Sequence, residues 1–133
     1  MTSIQTLVRA PQGRDHRPMT TSHISADPWP IAVDTASAER LTVADGIVRR
    51  SLPSTANASG WIIDFAANTQ WPAIDHHDTE ERYFVLSGEV IEGDETYPAG
   101  SYVVFPPGSQ HQPRTEVGAT MLGINIRVPA DES

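Results

Sequence analysis

The sequence predicts an all-β fold, and three observations carry that reading. Apolar residues recur in short runs with strand-like alternation, as in Trp61-Ile62-Ile63-Asp64-Phe65. Turn chemistry separates the runs at close intervals: Asp45-Gly46, Pro53, Gly93-Asp94, Pro98-Ala99-Gly100 and Pro106-Pro107-Gly108. No stretch carries an amphipathic helical pattern. Short strands of this kind pack as an antiparallel barrel or sandwich.

The chain has 133 residues, of which 38% are hydrophobic and 20% charged, enough for one domain with a modest core. No apolar run approaches the roughly 20 residues that span a bilayer, and the N-terminus lacks the basic-then-apolar pattern of a signal peptide. A cytoplasmic location without membrane association is therefore expected. Cysteine is absent, so neither a disulfide nor a thiolate ligand is available. The net charge of −8 argues against a nucleic-acid partner, which would need a basic face.

Residues 1–30 read as a Pro-rich arm, with a short strand over Ile4 to Val8, and residues 31–133 as the barrel. His16 and His23 lie in the arm and read as solvated loop residues. After Ile31-Ala32-Val33, Ala36 to Glu39 allows at most one helical turn. Leu41 to Ala44 and Ile47 to Leu52 form a hairpin about Asp45-Gly46. Residues 53–60 read as a loop. Trp61, Ile63 and Phe65 share one face of the next strand, and Ala66 to Gln70 turns toward Trp71-Pro72. A strand from Glu81 to Val90 carries Gly88 as an internal break or bulge. Glu92-Gly93-Asp94-Glu95 reads as a solvated hairpin tip. Ser101 to Phe105 is stopped by Pro106-Pro107-Gly108, Thr120 to Val128 is the last strand, and the Pro129–Ser133 tail is expected to fray.

Metal-ligand residue types sit at the ends of two of these runs. In an extended segment Asp75 and His77 point to one side and His76 to the other. Glu81 opens a new strand past a turn at Asp78-Thr79, and His111 arrives from a separate hairpin. Convergent N and O donors suit a transition ion, and an open position would admit water or substrate. Tyr83 shares parity with Glu81 and either donates its hydroxyl to a ligand or fills the core. Trp61, Phe65, Trp71 and Phe105 are expected to line the barrel or a subunit contact. Arg114 either meets an anion at the mouth or is solvated.

The spacing resembles a cupin. His77, three residues, Glu81, six residues and Gly88 follow the first cupin motif; Gly100, Pro106, Gly108 and His111 follow the second. The wording of the second motif is most similar to the anti-sigma-factor ChrR-type cupins and their acetylacetone-cleaving relatives. The chain departs from the pattern twice, with Asp75 at the position of the first histidine and Thr115 at that of the final asparagine.

The resemblance implies a jelly-roll barrel, the cupin double-stranded β-helix, assembled as a homodimer. It implies one divalent transition metal per subunit (Fe, Mn, Zn or Ni) held by His77, Glu81, His111 and, where the carboxylate replaces the missing histidine, Asp75. Asp75, Glu81 and Tyr83 are then the residues expected to take part in chemistry on a small-molecule substrate. Dioxygenase chemistry is expected first and cyclase or isomerase chemistry second, with Asp75 or Glu80 moving a proton. A ligand- or metal-sensing module and a metal-free structural barrel are the alternatives. The ChrR-type anti-sigma factor carries a separate zinc-binding domain with His and Cys ligands; with no cysteine, sigma-factor inhibition by that route is not expected here.

Overall fold

The computed structural model describes residues 30–128. The expected arm (apart from Pro30), its short strand, His16, His23 and the tail from Pro129 lie outside these residues. Among the described residues no helix is long and apolar enough to cross a membrane.

Asp34 opens the described fold by accepting the Ala36 N–H, which caps a single 3-10 turn over Thr35–Ser37. Eleven strands follow: β1 (Arg40–Ala44), β2 (Ile47–Ser51), β3 (Ala58–Phe65), β4 (Thr69–Gln70), β5 (Asp75–His76), β6 (Glu80–Glu92), β7 (Glu95–Pro98), β8 (Tyr102–Phe105), β9 (Gln110–His111), β10 (Arg114–Thr115) and β11 (Ala119–Ile126). They form a curled antiparallel jelly roll. One sheet runs β1-β2-β3-β11-β6-β10-β4, with β7 and β8 also paired to β6, and β5 pairs with β9 in a second, two-stranded sheet. The loop expected over residues 53–60 is shorter than that. Strand β3 starts at Ala58 because β11 offers it a continuous ladder, from Ile126 opposite Ala58 to Ala119 opposite Phe65.

The core lies on the concave face. Ile47, Trp61, Ile63, Phe65, Tyr83, Val85, Val90, Ala119 and Met121 form one buried cluster. Each large side chain withdrawn from water there stabilises the fold by roughly 1.5–3 kcal/mol. Alternation places Trp61, Ile63 and Phe65 inward from β3 as the sequence predicts, and Ile47 inward from β2.

Strand β6 changes its facing partway along. Val85 pairs with Met121 and Ser87 with Thr120, so Leu86 is an extra residue in the ladder, a β-bulge. Before it, odd-numbered Glu81, Tyr83 and Val85 face inward; after it, Val90 does. Gly88 stands two residues beyond the bulge at φ 74°, and a Cβ there would lie 1.9 Å from the Gly118 carbonyl oxygen. The break expected at Gly88 is thus split between Leu86, which carries the bulge, and Gly88, which has the left-handed backbone.

Candidate metal centre

Two backbone hydrogen bonds join the segments that carry the candidate ligands. The His77 N–H donates to the Ser109 carbonyl at 2.9 Å, and the Gly108 N–H donates to the His77 carbonyl at 2.8 Å. Asp75 of β5 lies directly opposite His111 of β9. Glu81 enters from β6, facing inward. One donor atom each from Asp75, His77, Glu81 and His111 lies within 4.8 Å of the others. His77 Nε2 is 3.4 Å from Asp75 Oδ2 and 3.2 Å from Glu81 Oε1. His111 Nε2 is 3.7 Å from Asp75 Oδ2 and 3.3 Å from Glu81 Oε2. His77, Glu81 and the His111 ring are buried, whereas the Asp75 side chain keeps 41% of its surface.

The partners of the outer ring nitrogens set the histidine tautomers. The Ser109 hydroxyl donates to the Pro106 carbonyl at 2.6 Å, so at 3.0 Å from His77 Nδ1 it accepts that ring's proton. His111 Nδ1 lies 2.9 Å from Glu92 Oε2 and donates to it. Both rings therefore turn their Nε2 atoms toward the two carboxylates, the edge that metal-binding histidines present. His77 Nε2 is buried and has no hydrogen-bond partner among the described residues. A lone pair stranded in this way costs free energy unless something fills it. Two imidazole nitrogens and two carboxylates fit a divalent transition ion.

The carboxylates and His111 are coupled. Burial pushes the Glu81 carboxyl up, but the hydrogen bond to His111 and the charges of His77 and His111 outweigh it and leave the pKa lowered. Burial disfavours the charged form of His111, but its contacts with Glu81 and Glu92 dominate and raise its pKa to about 9. Asn125 steadies Glu81. The Trp61 indole N–H can only donate and is 2.6 Å from Asn125 Oδ1, so the amide NH2 must face the other way. From there it donates to Glu81 Oε1 at 3.2 Å and to Thr79 Oγ1 at 3.0 Å.

Other residues singled out in the sequence fall away from the cluster. His76 is exposed on the opposite side of β5. Glu80 is tied to Arg82 by an ion pair and does not line the cavity. Arg114 pairs with Glu116 at 3.3 Å. Thr115 is buried, its hydroxyl donating to the Glu89 carbonyl and accepting from the Gly118 N–H. Tyr83 is fully buried behind His111, its hydroxyl donating to Glu92 Oε2 at 2.6 Å; burial first, then the Glu92 charge, raises its pKa well above the ordinary value. Phe105 packs against both histidines of the cluster, with ring centroids 4.3 Å from His111 and 5.4 Å from His77.

Where the sequence predicts a solvated acidic turn, the turn is not solvated throughout. Asp94 and Glu95 are exposed, but the Glu92 side chain keeps only 10% of its surface and holds both His111 and Tyr83. The Leu86 bulge turned it inward. Glu92, Asn125 and Ser109 are the residues around the site that sequence reasoning did not find.

The cluster opens onto a cavity of about 200 Å³ whose walls include Arg49, Trp61, Ile63, Trp71 and Met121.

A jelly-roll barrel with two histidines, a glutamate and a fourth donor gathered in its interior is a cupin. Residues 29–127 match the family described as the ChrR cupin-like domain, and the chain belongs to that family. Among solved structures it is similar to the complex of Rhodobacter sphaeroides SigE with the anti-sigma ChrR, with a TM-score of 0.62 and 18% identity over 69% of this chain and 51% of that one. The chain thus spans about half the length of that structural relative. It is also similar to an RmlC-like cupin from Shewanella frigidimarina, with a TM-score of 0.64 and 17% identity over 76% of this chain and 94% of that one. A third is the polyketide cyclase RemF from Streptomyces resistomycificus, with a TM-score of 0.60 and 17% identity over 71% and 78% of the two chains. These likenesses show the fold. No curated protein matches the chain.

Proposed function

We propose that this chain is a metal-dependent cupin enzyme acting on a small oxygenated molecule. One divalent transition ion per subunit (Fe, Mn, Zn or Ni) would be held by His77, Glu81, His111 and Asp75. The observation that carries this reading is the pair of Nε2 atoms facing two carboxylates, with His77 Nε2 buried and unpartnered among the described residues.

Bound there, the ion supplies Lewis acidity toward a carbonyl or enolate oxygen, and oxygen chemistry if it is redox-active. The chain's own residues divide the remaining work. Glu81 is fixed from behind by Asn125 and so holds its place. Asp75, the most exposed of the four, is the carboxylate that can meet a substrate proton at the cavity. Tyr83 acts through Glu92 and His111 as a positioning residue rather than by touching substrate. Trp61, Ile63, Trp71 and Met121 exclude water from the apolar part of the cavity.

A sensing module is the second reading, and kinship with the ChrR cupin-like family favours it. Incubating metal-loaded protein with acetylacetone and other enolisable diketones, with and without oxygen, separates the two. Consumption by wild type and not by Glu81→Ala supports the enzyme; saturable binding without consumption supports the sensor.

We also propose that the protein is a homodimer. The convex face of β6, β8 and β11 exposes Phe84, Leu86, Tyr102, Val104, Leu122 and Ile124, and a second copy would cover these side chains.

A further inference from the structure

Arg49 is an arginine on the concave face of the barrel. It stands two residues after Ile47 on β2, on the same side as that fully buried core residue, and its backbone partner across the ladder is the buried Ile63. It is half-buried and lines the same cavity as the metal cluster. Its neighbour Arg50 faces outward and is paired with Asp64 by two hydrogen bonds of 3.1 Å. Arg49 makes no ion pair or side-chain hydrogen bond among the described residues; it stands against the Trp61 ring, with the guanidinium carbon 5.9 Å from the centroid. A half-buried guanidinium with only a ring face beside it has lost water contacts that a cation–π contact replaces in part. Its five donors match a carboxylate.

The charges of the pocket point the same way. With a divalent ion bound in place of the extra His111 proton, Asp75 and Glu81 balance its charge. Glu92 sits on the far side of His111, is absent from the lining of this cavity, and accepts from His111 and Tyr83. Arg49 is then a surplus of one positive charge, which a monoanion cancels and a doubly charged phosphate ester overshoots. The apolar walls, Trp61, Ile63, Trp71 and Met121, suit a short hydrocarbon body. At about 200 Å³ the cavity lies below the roughly 300–1,000 Å³ of pockets for drug-sized ligands.

One framework positions both ends. Trp61 carries Arg49 on its ring, and its indole N–H fixes Asn125, which fixes Glu81. We infer that Arg49 is the specificity-determining residue of the pocket and that the ligand is a small monocarboxylate, its carboxylate on Arg49 and a carbonyl or hydroxyl oxygen directed to the Asp75, His77, Glu81 and His111 cluster. The second contact and the charge balance rest on the metal reading; the placement of an unpaired Arg49 in the cavity does not.

The test is calorimetric titration of the full chain, metal-loaded and metal-free, with pyruvate, 4-oxopentanoate and the methyl ester of each. Wild type, Arg49→Gln and Arg49→Lys are compared, with metal content measured on the same samples. At least one acid is expected to bind wild type about ten-fold or more tightly than its ester. That preference falls to near unity in Arg49→Gln and is partly kept in Arg49→Lys. Acids that bind no better than esters, no acid binding at all, or a preference that survives Arg49→Gln overturns the inference. An Arg49-dependent preference in protein that takes up no metal upholds the anion site and removes the metal reading. Metal uptake without charge preference does the reverse.

Discussion

Glu92 Oε2 lies 2.9 Å from His111 Nδ1, and the same oxygen accepts the Tyr83 hydroxyl at 2.6 Å. This carboxylate fixes the tautomer of a candidate ligand from a position that never reaches the cavity. Removing such a supporting charge typically weakens metal binding by about 10–100-fold. Glu92→Gln should do so while leaving the ligand set intact, as measured by competition with a chromophoric chelator. Unchanged affinity would show that His111 is held without Glu92.

The metal-free protein should have a stability maximum on the acidic side of neutrality. His111 is raised from 6.5 to about 9, so its contribution is complete below about 6.5 and is lost as pH rises through about 9. Glu81 is lowered from 4.5, so its contribution is present above about 4.5 and fades as pH falls through its lower folded value. Melting temperatures in chelator should therefore be highest between about 4.5 and 6.5 and decline toward pH 9. Because an ion must displace the extra proton from His111, loading below pH 9 should release it. A melting temperature that is flat from 6.5 to 9 would remove His111 as the titrating group.

Gly123 makes room for the tryptophan on which the framework is built. A Cβ at that position would lie 2.1 Å from the Trp61 ring. Gly123→Ala should cost about 1–3 kcal/mol or more in denaturant unfolding. By displacing Trp61 it should also loosen Asn125 from Glu81 and weaken metal binding. A variant that loses stability but keeps full metal affinity would show that the cluster does not depend on Trp61.

Light scattering on the intact chain should give a mass about twice 14.5 kDa. Tyr102, exposed at 59%, lies on the convex face beside its ladder partner Phe84. Tyr102→Glu should shift the mass to the monomer without changing metal content. A wild-type monomer would leave the apolar face without this partner.

The four-residue cluster was legible because its members sit where local rules hold. Asp75 and His77 flank His76 in an extended segment, and Gly108 precedes His111 by a fixed turn. Parity also placed Tyr83 inward. Glu92 reads as part of a solvated hairpin tip because the bulge at Leu86, which brings Val90 and Glu92 inward, has no firm sequence signature. Ala58 reads as loop in the sequence for a related reason: its strand is fixed by a ladder to Ile126, far along the chain. Asn125 lay open to the same parity reasoning, two residues past Gly123 on the inward side of β11. Arg49 carried a signal too, since it shares the alternation of Ile47. A single polar residue among apolar ones carries weight only once the cavity it faces is known.

The proposed function stands on one ion held by Asp75, His77, Glu81 and His111. Elemental analysis by mass spectrometry, on untagged protein offered Fe, Mn, Zn and Ni and then dialysed, tests it most directly. Wild type should retain close to one equivalent of one of these metals. Glu81→Ala should lose it, Asp75→Ala should bind more weakly, and His76→Ala should match wild type. Wild type that retains no metal, or Glu81→Ala that retains as much as wild type, would contradict the claim.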